Sequence, residues 1–448
     1  MSRVTEARDR GPFLLYGLGV TNRAVATALI ERSFDVVLAD DGRDESADDF
    51  ASVLGLECQH PSAADIERLL GSVGALLPTP GLPDAHPAMT VAASLGTAVL
   101  SEFDLAGEWD DRPIAAITGT NGKTTVTMLV TQMLTASGID AVPAGNTEVP
   151  LIEAIKQPGA AVFVVEASSF RLAHSGHFAP RVATWLNFAA DHLDVHRDLA
   201  TYRDAKARIF ADQDPDDVAV VNLDDQTVAT ATVRARRVTY SLQAPADYHV
   251  DDHGVLRRGD GSAICERDEL PRSLPHDVSN VLAAAATAEP LGATSSGVTA
   301  AAVTTRPLRH RVERLGESHG VVWIDDSKAT TPHAVQAAAA GFRRVVLIAG
   351  GRNKGLDLST LGRLPSVVAV VGIGEAADEV VSGAGDRPTA IAVDMGAAVR
   401  AARRLAVAGD VVLLSPGCAS FDWYPNYAAR GDDFASAVRT ELGGLLRP

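Results

Sequence analysis

The sequence predicts an α/β protein with several parallel sheets, and two observations support this fold class. Short apolar runs rich in β-branched residues alternate with alanine-rich helical stretches through most of the chain. The apolar runs are continuous rather than alternating, which is typical of strands covered by helices on both faces. With 448 residues, the chain is long enough for about three domains of ~150 residues each.

Eleven apolar runs predict the strands of these sheets. The first series comprises residues 13–16, 36–39, 75–77, 114–118, 162–166, 183–187 and 218–222, and the second comprises 321–325, 344–349, 367–371 and 411–415. The less regular segment 240–275 predicts a small antiparallel appendage. Polar, turn-rich segments at 107–113 and 304–311 separate these series, so we predict domains at residues 1–112, 113–306 and 307–448.

Charge and cysteine usage exclude several classes of protein. Against 57 acidic residues stand 40 lysines and arginines, a net charge of −17 that disfavours binding to nucleic acid. Cys58, Cys265 and Cys418 lie too far apart for a disulfide framework or a thiolate zinc site, as expected in a reducing compartment. Neither an apolar leader nor a run of ~20 apolar residues is present, so we expect a cytoplasmic protein without membrane insertion.

A strand, a glycine-rich turn and a helix start follow one another at residues 114–125 (IAAITGTNGKTT). The two glycines let the backbone curl so that its N–H groups face a polyphosphate. Lys123 can reach the outer phosphate oxygens, and the hydroxyl of Thr124 can ligate Mg²⁺. Ile117 occupies the first glycine position of the strict motif, and the alternative is an ordinary turn with a surface lysine. The order of residue types favours an ATP-binding loop.

Three downstream side chains have metal or phosphate chemistry, and each has a structural alternative. Glu166 ends a predicted strand, where it could hold Mg²⁺ or cap the next helix. His192 stands between Asp191 and Asp194 and could be a metal ligand or a structural hydrogen-bonding group. From its spacing among charged residues, Lys206 is expected to be a solvated helix lysine.

The sequence resembles the Mur ligases, the ATP-dependent amino-acid-adding enzymes of peptidoglycan synthesis, through seven motifs. These are GTNGKTT at 119–125, EASSF at 166–170, DHLDVH at 191–196, YRDAK at 202–206, DDSKATT at 325–331, GGRNKGLD at 350–357 and LSPGCASFD at 414–422. The last three are most similar to those of members that add D-glutamate to UDP-N-acetylmuramoyl-L-alanine through an acyl phosphate. The resemblance implies a Rossmann-like UDP-substrate domain, a P-loop ATP-binding domain, a Rossmann-like amino-acid domain and a monomer.

The resemblance also implies roles for individual residues. ATP would be bound by Gly119, Thr120, Asn121, Gly122, Lys123, Thr124, Thr125, Asn280, Arg311 and Asp326. Mg²⁺ would be held by Thr124, Glu166, His192 and a carbamate on Lys206, and catalysis would depend on Lys123, Glu166, His192 and Lys206. The nucleotide-sugar would lie near Val20, Thr21, Asp40, Thr79, Gly81 and Asn146. D-Glutamate would lie near Lys328, Thr330, Lys354, Ser420, Phe421 and Tyr427.

Four residues depart from the patterns of known proteins. Asn22 replaces the third glycine of a G-x-G-x-x-G turn at 17–22, where a structural tight turn is as plausible as a nucleotide site. Glu148, Arg171 and Asp277 replace residues that are customary in the resembled family. Glu148 and Arg171 could form a compensating ion pair.

Three other functions are compatible with parts of this sequence. A ligase of the same superfamily could add another amino acid or use another acceptor, as in L-glutamate addition or folate polyglutamylation. A non-catalytic nucleotide-sugar-binding regulator would be expected to have lost Lys123, Glu166 or Lys206, and all three are present. An NAD-dependent dehydrogenase would leave the loop at 119–125 unexplained.

Overall fold

A computed structural model describes residues 3–42, 45–147 and 149–447, and these form two compact units. The first unit comprises Met1–Phe188, Leu193–Leu270 and Val278–Thr305. The second comprises Ala189–His192, Pro271–Asp277 and Arg306–Pro448. The first unit contains two sheets and the second contains one.

The N-terminal sheet of the first unit has five parallel strands in the order β3-β2-β1-β4-β5. They are β1 (Phe13–Tyr16), β2 (Val36–Ala39), β3 (Cys58–Gln59), β4 (Ala75–Pro78) and β5 (Ala98–Val99). The helices are α1 (Arg3–Arg10), α2 (Val20–Glu31), α3 (Glu45–Val53), α4 (Ala63–Leu70), α5 (Pro87–Leu95) and α6 (Glu102–Trp109). The strand order reverses between β1 and β4, and ligands bind at the carboxyl ends of strands at such a point.

The central sheet has nine strands in the order β14-β13-β12-β11-β10-β9-β6-β8-β7. They are β6 (Ile114–Thr118), β7 (Ala141–Gly145), β8 (Val162–Glu166), β9 (Val182–Trp185), β10 (Val218–Asn222), β11 (Arg236–Ser241), β12 (Tyr248–Val250), β13 (Val255–Arg258) and β14 (Ala263–Glu266). The helices are α7 (Lys123–Ala136), α8 (Leu151–Ala154), α9 (Ser169–His174), α10 (Leu199–Ala207), α11 (Gln226–Ala229), α12 (Pro275–Ala288) and α13 (Ser295–Thr304). Strand β13 is antiparallel to both of its neighbours, β12 and β14, so the predicted antiparallel appendage is present and extends this sheet.

The second unit contains a six-stranded sheet in the order β15-β16-β20-β17-β18-β19, in which β15 is antiparallel to β16 and the other pairs are parallel. The strands are β15 (Glu313–Ser318), β16 (Val321–Asp325), β17 (Val345–Gly350), β18 (Val367–Ile373), β19 (Thr389–Ile391) and β20 (Val411–Leu414). The helices are α14 (Pro332–Ala339), α15 (Ala377–Ser382), α16 (Met395–Leu405) and α17 (Tyr427–Leu442). Short 3-10 turns lie at Arg208–Phe210, Arg267–Glu269, Glu289–Leu291, Leu361–Arg363 and Gly443–Leu445.

The predicted α/β fold class is confirmed, because each sheet is mainly parallel and the central sheet is covered on both faces. Successive residues of β8 show this cover: Phe163 and Val165 pack into one apolar cluster, and Val162 and Val164 pack into another. Each predicted domain range contains one sheet, and the three ranges stay a proposal. Among the described residues, no helix combines the length and the apolar character needed to cross a bilayer.

Candidate active site

The predicted phosphate loop lies between β6 and α7 in the first unit. Gly122 has a φ of +87°, a left-handed conformation that favours glycine, and α7 begins at the next residue. A Cβ atom at Gly122 would lie only 2.9 Å from Oδ1 of Asn280, so the loop and Asn280 are in close approach. The loop therefore presents its backbone at the positive end of a 14-residue helix, which is an arrangement that binds phosphate.

Asn187, which sequence reasoning did not select, stabilises the conformation of this loop through hydrogen bonds. Its side chain accepts a hydrogen bond from the N–H of Asn121 at 2.8 Å and donates to the carbonyl of Asn121 at 3.1 Å. Its own carbonyl accepts from the N–H of Thr120 at 3.1 Å. Asn187 follows β9, the neighbour of β6. A polar residue at the end of the predicted strand 183–187 was the signal available in the sequence.

Two lysine ammonium groups meet at one carbonyl of the loop. Nζ of Lys123 donates to the carbonyl oxygens of Gly119 at 2.8 Å and Thr120 at 3.1 Å. Nζ of Lys206 donates to the same oxygen of Gly119 at 2.8 Å. Lys206 is only 1% exposed, so the expectation of a solvated helix lysine is wrong. It shares the buried face of α10 with Tyr202, whose ring lies 4.7 Å from its ammonium.

Glu166 brings a carboxylate to the strand beside the loop. It pairs with Ile117 in the parallel register of β6 and β8, and its Oε1 accepts from the amide of Asn146 at 3.1 Å. Its other oxygen, Oε2, is buried and has no hydrogen-bond partner among the described residues. The helix-cap alternative is wrong, because Ser168 caps α9. A buried carboxylate oxygen without a protein partner suits a hard cation such as Mg²⁺.

Arg171 connects the two sheets of the first unit. Its Nε donates to Oε1 of Glu102 at 2.5 Å, its Nη1 to Oδ1 of Asn146 at 2.9 Å and its Nη2 to Oγ1 of Thr21 at 2.7 Å. The predicted partner Glu148 lies outside the described residues. Because Thr21 lies in the first turn of α2 and Asn146 contacts Glu166, Arg171 links the start of α2 to the carboxylate of the central sheet.

Five of the six residues predicted for the nucleotide-sugar lie just after the carboxyl ends of β1, β2 and β4. They are Val20, Thr21, Asp40, Thr79 and Gly81. The side chain of Thr79 packs so closely on Gly17 that a Cβ there would lie 2.5 Å from its methyl carbon. Asp40 accepts a hydrogen bond from the N–H of Leu18 at 2.8 Å, and Val20 is 72% exposed. Gly81 has a φ of +91° with open space around it. These positions therefore lie on accessible loops at the carboxyl ends of the three strands.

Asn22 has a structural role in the turn between β1 and α2. Its buried amide donates to the carbonyl oxygens of Gly17 at 2.9 Å, Leu77 at 3.1 Å and Tyr16 at 3.3 Å. Asparagine thus ties the ends of β1 and β4 together where a dinucleotide fingerprint has glycine. The tight-turn interpretation of this position is supported.

In the second unit, three loops meet at the carboxyl ends of the adjacent strands β16, β20 and β17. The carbonyl of Ala329 accepts from the N–H of Gly417 at 2.8 Å, and the backbones of Arg352 and Ala419 exchange two hydrogen bonds of 3.0 Å. Nζ of Lys328 lies 4.0 Å from the ring centre of Tyr427. Each loop carries residues predicted for the amino acid, which are Lys328, Thr330, Lys354, Ser420 and Phe421, and Phe421 is exposed.

The unit also holds Asp191 and His192, on a loop that belongs to it by contact. Oδ1 of Asp191 accepts from the N–H of His192 at 2.8 Å and lies 3.4 Å from Nζ of Lys354, while its Oδ2 lies 3.2 Å from Nε2 of the histidine. His192 has a φ of +56°. The proximity of Asp191 to both side chains was not predicted, and a metal-ligand role for His192 stays a prediction.

Arg311, predicted to bind nucleotide, lies in a strained segment of the second unit. Its neighbours His310 and Val312 have φ values of +59° and +50°, and this backbone is costly for the β-branched Val312. Arg272 donates to the carbonyl oxygens of Arg311 and, at 2.9 Å, of Val312, and it forms an ion pair with Asp277 at 2.6 Å. Asp277, the third departure from the family pattern, therefore anchors the arginine that holds this segment.

Asp326 supports the same segment from a buried position. Its Oδ1 accepts from the N–H of Val312 at 3.2 Å and its Oδ2 from the hydroxyl of Ser415 at 2.8 Å. Burial raises the pKa of this carboxyl to about 7, because removal from water disfavours the charged form more than these hydrogen bonds favour it. The carboxyl therefore changes charge near neutral pH.

The stability of the Asp326→Asn variant relative to that of the wild type is expected to increase as the pH rises. Because the folded-state pKa lies above the ordinary value of 3.8, this group favours the folded state at low pH, and that contribution is lost between pH 4 and pH 7. Thermal unfolding of D326N and the wild type at pH 5, 6, 7 and 8 should therefore diverge by about 1–3 kcal/mol in favour of the variant. Parallel curves would contradict the raised pKa.

The sequence matches two family models, one described as the Mur ligase middle domain over residues 117–288 and one described as Mur ligase, glutamate ligase domain over residues 310–418. A curated relative from Frankia casuarinae, named UDP-N-acetylmuramoylalanine–D-glutamate ligase, is 39% identical, with 96% of this chain and 94% of the relative covered. This chain belongs to the Mur ligase family. The family predicted from the seven motifs is confirmed.

Other comparisons agree with this Mur ligase assignment. A relative of the same name from Desulfosudis oleivorans is 38% identical, with 95% of each chain covered. The solved structure of a pseudomurein peptide ligase type C from Methanothermus fervidus has a TM-score of 0.62 at 16% identity, covering 96% of this chain and 100% of that one. A UDP-N-acetylmuramate-alanine ligase from Thermotoga maritima has a TM-score of 0.58 at 16% identity, covering 96% and 99%. These structures support the fold.

Proposed function

We propose that this Mur ligase uses ATP and Mg²⁺ to join D-glutamate to UDP-N-acetylmuramoyl-L-alanine in peptidoglycan precursor synthesis. The arrangement at the phosphate loop carries the proposal: Lys123 and Lys206 meet at the carbonyl of Gly119, and Glu166 offers an unpartnered oxygen on the neighbouring strand. The names of the relatives, which cover nearly the whole chain, supply the substrates. The loop supports ATP use, and the amino acid rests on these relatives.

The first step activates a carboxylate. A carboxylate oxygen of the alanyl group bonds to the γ-phosphorus of ATP. The bond from that phosphorus to the oxygen between the β- and γ-phosphates breaks, which gives an acyl phosphate and ADP. The loop N–H groups and the ammonium of Lys123 would hold the phosphates and offset the charge that develops on the transferring group. Positioning by the loop and by Arg171 supplies the rest of the rate enhancement.

The second step forms the amide bond. The amino nitrogen of D-glutamate bonds to the acyl carbon, the nitrogen loses a proton, and the carbon–oxygen bond to phosphate breaks. A free carboxylate resists such attack, and phosphorylation turns its oxygen into a good leaving group. We propose that Lys328, Thr330, Lys354 and Ser420 bind the two carboxylates of the amino acid beside Phe421 and Tyr427, because cations and hydroxyls are the groups a dianion requires.

The first unit contains residues that fit a magnesium ion. Thr124 at the start of α7 and the unpartnered Oε2 of Glu166 offer the oxygen ligands that a hard cation prefers. When bound, Mg²⁺ would neutralise charge on the phosphate oxygens during transfer. His192 in the second unit is proposed as a further ligand on the family resemblance alone.

We also propose that Lys206 is carbamylated. Two ammonium groups that donate to one carbonyl repel each other, and Lys206 is buried. The ammonium first loses one proton, and attack of the resulting neutral amine on carbon dioxide forms an N–C bond and releases a second proton. A positively charged group thereby becomes an anionic carbamate. The exchange relieves the repulsion and provides an oxygen ligand for Mg²⁺ close to the phosphate loop.

Phosphate release by the purified protein tests the proposal. The assay contains MgATP, UDP-N-acetylmuramoyl-L-alanine and either D- or L-glutamate, with the nucleotide-sugar or the amino acid omitted in control reactions. We expect phosphate release only with all components and with D-glutamate. Release that needs no nucleotide-sugar, that requires L-glutamate, or that appears only with a folate acceptor would overturn the proposal.

A further inference from the structure

Arg430, in the first turn of α17, is a fully buried cation whose hydrogen bonds go to neutral groups. Among the described residues, its side chain is one of the largest with less than 2% exposure. Among the described residues, no carboxylate oxygen lies within 4.0 Å of its guanidinium nitrogens. Burial lowers the pKa of Arg430 to about 10, with Asp422 and Asp325 opposing this effect, so the group stays charged at neutral pH.

The donors of Arg430 join two of the three loops at the predicted amino-acid site. Its Nε donates to the hydroxyl of Ser327 at 3.0 Å, and its Nη2 donates to the Ser327 carbonyl at 2.8 Å. Both terminal nitrogens donate to the carbonyl of Cys418 at 3.2 Å. Ser327 directly precedes Lys328, and Cys418 lies two residues before Ser420. The guanidinium therefore sets the spacing between the loop of Lys328 and the loop of Ser420.

A buried charge without a counter-ion in contact lowers the stability of the folded protein, so its presence suggests a role other than stabilisation. Asp325 and Asp422 favour the charge of Arg430 only from beyond ion-pair distance, and both have closer partners: Asp325 accepts from the ring of His310 at 2.7 Å and Asp422 accepts from the N–H of Glu375 at 3.1 Å. Part of the positive potential behind the two loops therefore remains for an anion that binds in front of them. A dicarboxylate held by Lys328 and Ser420 would be such an anion.

We propose that Arg430 is a positioning residue for the amino-acid substrate: it fixes the spacing of the two loops, and its charge favours a dicarboxylic amino acid. The inference rests on the proposed function, because the amino acid must bind at these loops. All four hydrogen bonds of Arg430 go to Ser327 and Cys418, so it would act on the substrate through these two residues and not by direct contact. Its effect is expected on the Michaelis constant of the amino acid.

The test compares Arg430→Gln, Arg430→Lys and the control Arg439→Gln, which changes an exposed arginine in the last turn of the same helix. KM is measured for D-glutamate, ATP and UDP-N-acetylmuramoyl-L-alanine. For Arg430→Gln we expect the KM of D-glutamate to rise about tenfold, with the other two within about twofold. Arg430→Lys keeps the charge and loses the forked geometry, so its KM should be intermediate. The control should match the wild type.

Circular dichroism and thermal unfolding establish that each variant folds. If Arg430→Gln does not fold, Arg430→Lys carries the test, and a rise of its D-glutamate KM alone supports the proposal. Unchanged D-glutamate KM in the folded variants, or equal changes in all three KM values, would overturn it. A wild-type protein that releases no phosphate with D-glutamate would instead refute the proposed function.

Discussion

Replacing Lys206 with alanine is expected to lower ligase activity by roughly 10²–10³-fold while the protein still folds. The lysine is buried, and its Nζ reaches the carbonyl of Gly119 in the phosphate loop at 2.8 Å. Alanine removes both this contact and the proposed carbamate, but it keeps the helical propensity of α10. Phosphate release under saturating substrates measures the loss, and thermal unfolding checks the fold.

Lys156→Ala is the matched control for this variant. The chain contains five lysines, and Lys156 is the one outside the proposed site. It forms ion pairs with Glu31 at 3.0 Å and Glu153 at 3.3 Å in partly exposed positions, whose loss should cost less than about 1 kcal/mol. Full activity of Lys206→Ala would eliminate the carbamate proposal.

Carbon dioxide labelled with ¹³C distinguishes the carbamate from a simple loss of charge. The wild type should show a carbamate carbon resonance that is absent from Lys206→Ala and present in Lys156→Ala. Added short carboxylates should restore the activity of Lys206→Ala only in part, because a free carboxylate must be ordered at a cost in entropy. A spectrum without the resonance in an active wild type would show that Lys206 acts as an ammonium.

The strands were predictable because they are buried on both faces. Continuous apolar runs specified β1, β2, β6, β8, β10 and β16 with their observed bounds, since no solvent-facing residue interrupts these strands. Strands β3 and β5 were missed because two residues at a sheet edge carry no periodic pattern. Strands β7, β11, β15 and β19 contain exposed residues and were also missed.

The site was predictable where its chemistry is local in sequence. The phosphate loop could be read from 119–125, because glycines, lysine and threonine occur in the order in which they act. The burial of Lys206 could not be predicted from the sequence, since its acceptor Gly119 is 87 residues away. The same applies to Arg171, whose carboxylate partner Glu102 is 69 residues away. Two departures from a family pattern suggested Glu148 as a further partner of Arg171, and Glu148 lies outside the described residues.

Replacing Arg171 with methionine is expected to destabilise the protein by about 3–5 kcal/mol. The pair with Glu102 is buried, with side chains 7% and 1% exposed, and its atoms lie 2.5 Å apart. Methionine fills much of the space but leaves the carboxylate in an apolar site without its counter-ion. Arg181→Ala is the control, because Arg181 pairs with Asp217 at 3.0 Å from a side chain that is 51% exposed, and its loss should cost less than about 1 kcal/mol.

The destabilisation by Arg171→Met should depend on pH. Burial raises the pKa of Glu102, and Arg171 opposes this effect, so removing the arginine raises the pKa further. A carboxyl with a raised folded-state pKa favours the folded state below its unfolded pKa, and this contribution is lost as the pH rises through the folded value. The variant should therefore lose more stability at pH 8 than at pH 5. A loss that is equal at both values would show that packing, rather than the ion pair, is responsible.

The double variant Arg171→Met/Glu102→Gln separates the charge from the hydrogen bonds of the cluster. Because glutamine removes the uncompensated charge, the double variant should be more stable than Arg171→Met alone, with a coupling energy of about 1–3 kcal/mol. Its ligase activity should stay low, since Thr21 and Asn146 have still lost the guanidinium that aligns them. Recovery of stability without activity would therefore assign Arg171 two separable effects, one on folding through Glu102 and one on the substrate through Thr21 and Asn146. If activity returned together with stability, the alignment of these two residues would not depend on Arg171.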